Sequence, residues 1–253
     1  MQLIMLGVGS SAGTPVIGCD CSTCRSADAR NQRSRCSSAI ELPDGKIILI
    51  DTGPDLRQQA LRERLNRVDA VLYTHTHADH LHGIDDLRAF CQLQRQQIPL
   101  YGSPDTVRHI VNKFPYVLRE PGDFWDLPVL GVHAVEQPFM LFGMQIVPIP
   151  VKHGHSDILG YRIGNLAYIT DVSSIPDSSM MLLQGLDVLL LDCLRFKPHP
   201  THVNLEQSLT YAGHINARQT YLIHMTHEIE YKAVSQRLPD SVRLGYDGLR
   251  ISL

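Results

Sequence analysis

Residues 74–83 read THTHADHLHG, and between positions 75 and 80 stand three histidines and an aspartate. Four such ligands would fill one tetrahedral zinc. Successive side chains on a short turn leave the backbone in different directions, so His75, His77, Asp79 and His80 cannot all face one centre. The stretch therefore calls for two ions, with the missing ligands supplied from elsewhere in the chain. The apolar run AVLYT stands directly before it, so the ligands emerge from the end of an expected strand.

The same arrangement recurs along the chain. Asp51 follows KIILI, His153 follows IVPIPVK, Asp171 follows LAYIT, Asp192 follows DVLLL and His224 follows TYLI. With His75, that places six ionisable residues at the carboxyl ends of six expected strands. Loops at one edge of a sheet are where sites are assembled, so these residues are expected to converge.

Short β-branched runs alternate with amphipathic stretches, and no period of 20 to 50 residues repeats. A single mixed α/β domain over 1–253 is expected. The candidate strands are QLIMLG, KIILID, AVLYT, IPLYG, MQIVPIPV, LGYRI, LAYIT, DVLLLD and TYLIH; the candidate helices cover 55–65, 84–94, 104–112, 176–183, 205–215 and 227–236. The stretch 113–128 carries Phe114, Tyr116, Phe124, Trp125 and three prolines and reads as a long ordered loop. Its aromatics either line a substrate pocket or pack the loop onto the body.

At 253 residues and 43% hydrophobic composition the chain can bury a substantial core. A net charge of -3 offers no general basic field for nucleic acid, so no large nucleic-acid partner is expected. The opening MQLIMLGVGSSAGTP lacks a basic leader and a cleavage site and reads as a first strand; no run approaches the roughly 18 apolar residues of a membrane span. A cytoplasmic protein without a membrane partner is expected, and composition leaves the oligomeric state open, a homodimer included. Of six cysteines, Cys19, Cys21 and Cys24 crowd into GCDCSTC, too close to staple distant parts of a domain. They read as a thiolate metal site or as reduced, unliganded thiols. Cys36, Cys91 and Cys193 are expected to behave as small buried hydrophobes.

THTHADH after an apolar strand, with His153, Asp171 and His224 after later strands, resembles the metallo-β-lactamase superfamily over nearly the whole chain. The resemblance implies an αββα sandwich, two mixed β-sheets face to face with helices outside. It also implies His75, His77, His153 and Asp171 for one ion and Asp79, His80, His224 and Asp171 for the other, with Asp171 bridging. His and Asp suit zinc, manganese or iron, and two divalent ions, manganese or zinc, are expected to acidify a bound water into a nucleophile. Asp79 counts as catalytic as well as ligating. Asp51 either orients a ligand or caps the loop that follows through DTG. His155 competes with His153 for the third-strand position, because the local sequence is KHGH.

Fold alone does not give the substrate. The absence of a leader departs from secreted lactamases, the length leaves no room for a glyoxalase II substrate domain, and no glycine- and proline-rich tRNase Z arm is found. GCDCSTC combined with IHMTHE and THVNLEQS resembles instead the PhnP-type phosphodiesterases of the carbon-phosphorus lyase pathway, in phosphonate metabolism. That resemblance implies a structural zinc held by Cys19, Cys21, Cys24 and His227. It implies His202, in KPHPTHVN, as the acid that protonates the leaving alkoxide, with His199 its rival and Asn204 capping the next helix. The expected substrate is a small cyclic phosphodiester such as 5-phosphoribosyl 1,2-cyclic phosphate. Two alternatives stand: a nuclease or 2',3'-cyclic nucleotide phosphodiesterase, and an accessory or binding protein of the PqqB kind, whose N-terminal cluster is similar.

Overall fold

The computed structural model describes residues 1–118 and 130–253, and its strands form two seven-stranded sheets stacked face to face. Strands β1 (Gln2–Gly7), β2 (Ser37–Glu41), β3 (Ile47–Ile50), β4 (Ala70–Leu72), β5 (Ile98–Gly102) and β6 (Leu130–Ala134) build the first sheet. Strands β7 (Phe139–Leu141), β8 (Met144–His153), β9 (Ser156–Ile163), β10 (Leu166–Ile169), β11 (Val188–Asp192), β12 (Gln219–Ile223) and β13 (Val242–Leu244) build the second. The last strand, β14 (Arg250–Ser252), returns to pair with β1. Read across either sheet, three antiparallel pairings precede three parallel ones. Parallel neighbours end at the same edge, so β3 and β4 in one sheet and β10, β11 and β12 in the other deliver their carboxyl ends together.

The alternation of side chains explains both why these runs are strands and how the layers form. Leu3 and Met5, Ile48 and Ile50, and Ala70 and Leu72 share one cluster with Ile149, Val151, Ile169, Leu189 and Leu222 of the second sheet. Ile4 and Leu6, Ile47 and Leu49, and Val71 point the other way and pack with Leu56, Ala60, Leu87, Phe90 and Ile110. A strand covered on both faces reads as a continuous apolar run, as KIILI does. Burying each such leucine or isoleucine is worth about 1.5–3 kcal/mol, so closing the sandwich supplies the dominant favourable term.

The covering helices on the first sheet are α1 (Leu56–Glu63), the single turn α2 (Ala78–Leu81), α3 (Leu87–Gln94) and α4 (Pro104–Lys113). The second sheet carries α5 (Asp177–Leu182), α6 (Leu205–Ile215) and α7 (Tyr231–Ser235). Helix α6 starts where expected, on a capping box in which Asn204 accepts from Gln207 N and Gln207 reaches back to Asn204 N. Two expectations need correction. The helix expected at 227–236 begins only at Tyr231, with Glu230 as its cap, because residues 226–230 are drawn into a loop that turns His227 toward the cysteines. Strands β2, β6, β7, β13 and β14 were not expected; most are edge or near-edge pieces of three to five residues, too short for a periodic signal. Among the described residues no helix is long and apolar enough to cross a membrane.

Candidate metal centre

Seven described non-glycine residues adopt a left-handed backbone conformation. Arg64, Arg95 and Asn216 end helices, and Phe142 sits in the β7–β8 hairpin. The other three are Asp51, Asp171 and His224, each within two residues of a strand end. Such a conformation costs on the order of 1–3 kcal/mol and persists where surrounding contacts enforce it. Here it turns the chain sharply enough to aim three polar side chains back at one place. Gly53 answers a related need: a Cβ there would lie 2.1 Å from the Asp79 carbonyl oxygen, so only glycine lets the loop after β3 rest on α2.

The ligand-type atoms of His75, His77, His153 and Asp171 lie within 4.8 Å of one another, as do those of Asp79, His80, Asp171 and His224. The motif thus divides as its geometry requires, with His75 and His77 on one side and Asp79 and His80 on the other. Asp171 belongs to both groups. Its Oδ2 is 3.8 Å from His75 Nε2, while its Oδ1 is 3.1 Å from His80 Nε2 and 3.4 Å from His224 Nε2. Asp79 Oδ2 approaches the same two nitrogens at 3.2 and 3.5 Å.

Hydrogen bonds behind the imidazoles set their tautomers. His153 Nδ1 donates to Thr201 O at 2.8 Å and His80 Nδ1 to Asp51 Oδ2 at 2.7 Å. The Thr74 hydroxyl gives its one proton to Asp51 Oδ2, so at 2.9 Å it accepts from His75 Nδ1. In its neutral form each ring then carries its proton on Nδ1 and presents a bare Nε2 to the centre, the state a metal ligand needs. Asp51, buried and also bonded to Thr74 N, orients two of these rings, which decides between the two roles its sequence position allowed.

The donor set fits a pair of divalent ions. Nε2 of His75 and of His80 are buried without a hydrogen-bond partner, while the oxygens of Asp171 stand 3.8 and 3.1 Å away. Burial opposes charge on His80 and on His224, yet Asp171, aided by Asp51 at one ring and Asp79 at the other, holds both above the ordinary histidine value. Burial would raise Asp171 too, but His224 and His80 keep it well below the usual carboxylate range. Two near-buried carboxylates among imidazoles draw positive charge to this spot, and divalent cations bound at Nε2 and carboxylate oxygens would provide it.

Beside the pair, the His202 ring stacks on His224 at 4.9 Å between centroids and meets His153 edge-on at 4.8 Å. Its Nδ1 donates to Asp192 Oδ2 at 2.9 Å, and its Nε2 stands 3.8 Å from Asp171 Oδ2. Asp192 Oδ2 is itself fixed by Val172 N. His199 lies one ring farther out, 5.3 Å from His202, with its Nδ1 engaged by Thr201. His155 is exposed and outside the cluster, which leaves His153 in the third-strand position.

A second donor set forms away from this pair. The Sγ atoms of Cys19, Cys21 and Cys24 lie 3.2, 3.4 and 3.4 Å from His227 Nδ1. A zinc tetrahedron with ordinary bond lengths has a sulfur-to-nitrogen edge of about 3.6 Å, so the four atoms already approximate its corners. The N–H of Cys24, donated to Cys21 Sγ, helps hold that thiol down to about 6, which favours the thiolate a metal binds. None of the six cysteines is in a disulfide, and Cys36, Cys91 and Cys193 are buried.

Residues 46–225 match the family model described as the beta-lactamase superfamily domain. The chain belongs to the β-lactamase superfamily. Within it, a crystal structure described as a new diphosphatase from the PhnP family is 42% identical, with a TM-score of 0.93 over 100% of this chain and 97% of that one. An octanoyltransferase of Porphyromonas gingivalis is 37% identical over 98% of this chain and 51% of its own length. Zn(2+)-bound PqqB from Methylobacterium extorquens covers both chains fully at a TM-score of 0.80 and 20% identity, a likeness of fold. The chain spans about half the length of the curated relatives it matches over the greatest extent.

In this superfamily member, neither the hydroxyl of Thr74 nor the partnership of Asp192 with His202 is predicted from the sequence. Asp192 had a visible signal in its place after DVLLL; Thr74 had none beyond lying next to His75. Of the loop aromatics, Phe114 packs partly buried against the helix-side core, 5.6 Å from the His82 ring, and Tyr116 is exposed. Phe124 and Trp125 lie outside the described residues.

Proposed function

We propose that this protein is a phosphoric diester hydrolase that works with two divalent ions, manganese or zinc, on small cyclic or activated phosphodiesters such as 5-phosphoribosyl 1,2-cyclic phosphate. The observation that carries this reading is His202, held from behind by Asp192 with its Nε2 beside the shared carboxylate of Asp171. A positioned proton donor is what an alkoxide leaving group requires. Identity of 42% over the full chain with a PhnP-family diphosphatase supports phosphorus as the reacting centre.

Bound ions would supply an acidified water and neutralise phosphoryl oxygens. The chain's residues have separate tasks. Asp171, with one oxygen toward each histidine group, would be shared by the two ions, and Asp79, His80 and His224 would hold one of them. Asp51 and Thr74 keep His80 and His75 in the tautomer that leaves Nε2 free. Asp192 accepts from His202 Nδ1, so His202 acts as the acid in its doubly protonated form, in which Nε2 also carries a proton to deliver to the departing oxygen. Cys19, Cys21, Cys24 and His227 would hold a structural zinc.

The name of the 42% identical relative favours a second reading, cleavage of a diphosphate. Phosphate leaves far more readily than an alkoxide, so that reaction needs His202 less. A rate panel on metal-loaded protein separates the readings, using a sugar 1,2-cyclic phosphate, 2',3'-cyclic nucleotides, an aryl diester and a nucleoside diphosphate. Highest kcat/KM on the sugar cyclic phosphate supports the proposal. Fastest turnover of the diphosphate moves the assignment to the second reading, and turnover of none overturns both.

A further inference from the structure

Arg33 is 2% exposed, and among the described residues no carboxylate lies within ion-pair distance of its guanidinium. Its Nε has no hydrogen-bond partner. Burial lowers it to about 10, with Asp247 and Glu230 acting from farther off, so it remains charged at neutral pH. A buried, unpaired cation is destabilising relative to an apolar side chain of similar length, so its contacts must account for it.

Those contacts lead to the three-cysteine site from both directions. One terminal nitrogen donates to Thr226 O at 3.0 Å; the other donates to Ile229 O at 2.5 Å and Asn31 Oδ1 at 3.2 Å. Thr226 and Ile229 flank His227. The backbone of Arg33 pairs in both directions with Thr14, at 2.7 and 2.8 Å, where the segment that carries the cysteines begins. Asn31 repeats the pattern at the far end. Its amide donates to Ser26 Oγ, two residues past Cys24, and to Glu230 Oε1, and its oxygen accepts from Tyr231 N. Between His227 and the catalytic pair, Met225 is tied to the first loop through Val8 O and Ser10 N, so the strand end bearing His224 shares this framework.

We propose that Arg33, assisted by Asn31, is a positioning residue for the three-cysteine site, holding His227 opposite the cysteines before an ion binds. The proposal rests on reading that site as a zinc site. Charge-assisted hydrogen bonds to two carbonyls fix the loop over residues 226–230, adding at Thr226 O to the turn bond from Ile229 N. The loop then loses little freedom when zinc arrives, and the ion is released slowly.

The test uses full-length, zinc-loaded protein and its Arg33→Met and Arg33→Lys variants, with folding checked by circular dichroism. Three quantities are read: ions per chain, the rate of zinc transfer to a chelator, and the thiolate charge-transfer bands after cobalt exchange. Arg33→Met should lose its third ion at least tenfold faster and show weakened cobalt bands, and Arg33→Lys should fall between it and the natural protein. A folded Arg33→Met with three ions, natural release and unchanged bands overturns the role of Arg33 while leaving the zinc reading intact. Only two ions in the natural protein overturns the zinc reading and this inference with it. Should Arg33→Met not fold, Asn31→Ala decides: release accelerated at least threefold supports the brace, and release at the natural rate overturns it.

Discussion

Replacing His202 by alanine separates the chemistry from the fold, because its two nitrogens have different partners. The lost contact behind the ring is the 2.9 Å bond from Nδ1 to Asp192. Asp192 Oδ2 keeps its bond from Val172 N, but Oδ1 of this buried carboxylate has no hydrogen-bond partner, so the stability loss should sit near the upper end of the about 1–3 kcal/mol typical of a broken buried hydrogen bond. The lost function in front is a proton for the leaving oxygen. A positioned acid contributes about 10²- to 10⁴-fold, which corresponds to roughly 3–5 kcal/mol of barrier. That loss should fall fully on a sugar or alkyl diester, whose alkoxide cannot depart unprotonated. An aryl diester, whose leaving group is stable as the anion, should slow by less than about tenfold. The assay measures kcat/KM for both substrates on the same preparation, with ions counted before and after. Equal losses on both substrates with all ions retained would refute the acid role and leave His202 an orienting residue. Loss of an ion would instead place it in the coordination shell beside His224.

Four further outcomes are expected. Asp171→Ala should abolish activity and release at least one catalytic ion by elemental analysis, since one oxygen faces each group; retention of both ions would rule out bridging. Serine at Cys19, Cys21 or Cys24 should release one zinc and lower Tm while the catalytic pair stays filled, and unchanged zinc content would contradict the structural site. Gly53→Ala should reduce metal content and activity by displacing α2, because its Cβ would meet the Asp79 carbonyl at 2.1 Å; native metal affinity would show that the loop can yield. Glu230 is held below the ordinary carboxylate value first by the Asn31 amide and then by Ala233 N, so it binds protons less readily folded than unfolded. Its stabilising contribution is therefore present above about pH 4.5 and fades as pH falls through its lowered folded value. The Tm difference between the natural protein and Glu230→Gln should accordingly be present at pH 7 and shrink below pH 4.5, and a difference that does not change with pH would count against it.

Much of the architecture can be read before any coordinates. Strand β1 runs over QLIMLG and β5 over IPLYG as expected, and α6 covers 205–215 behind its asparagine cap. Long buried runs and capped helices carry their signal locally, in side-chain period and in one or two terminal residues. The short edge strands carry none, and His227 shows how a local helical pattern yields when a side chain is recruited by a distant loop.

Which residues could act is written in the sequence: the ligand types, their places after strands, and the impossibility of directing THTHADH at a single ion. These follow from chemistry and backbone direction within a few residues. How those residues are held emerges from the folded chain alone. Asp51 meets His80 across 29 positions, Asp192 meets His202 across 10 and Arg33 meets Thr226 across 193. Hydrogen bonds between loops of different strands have no period and no fixed spacing. They exist because two sheets, closing on a shared apolar core, bring their carboxyl edges together, and that closure is a property of the whole chain.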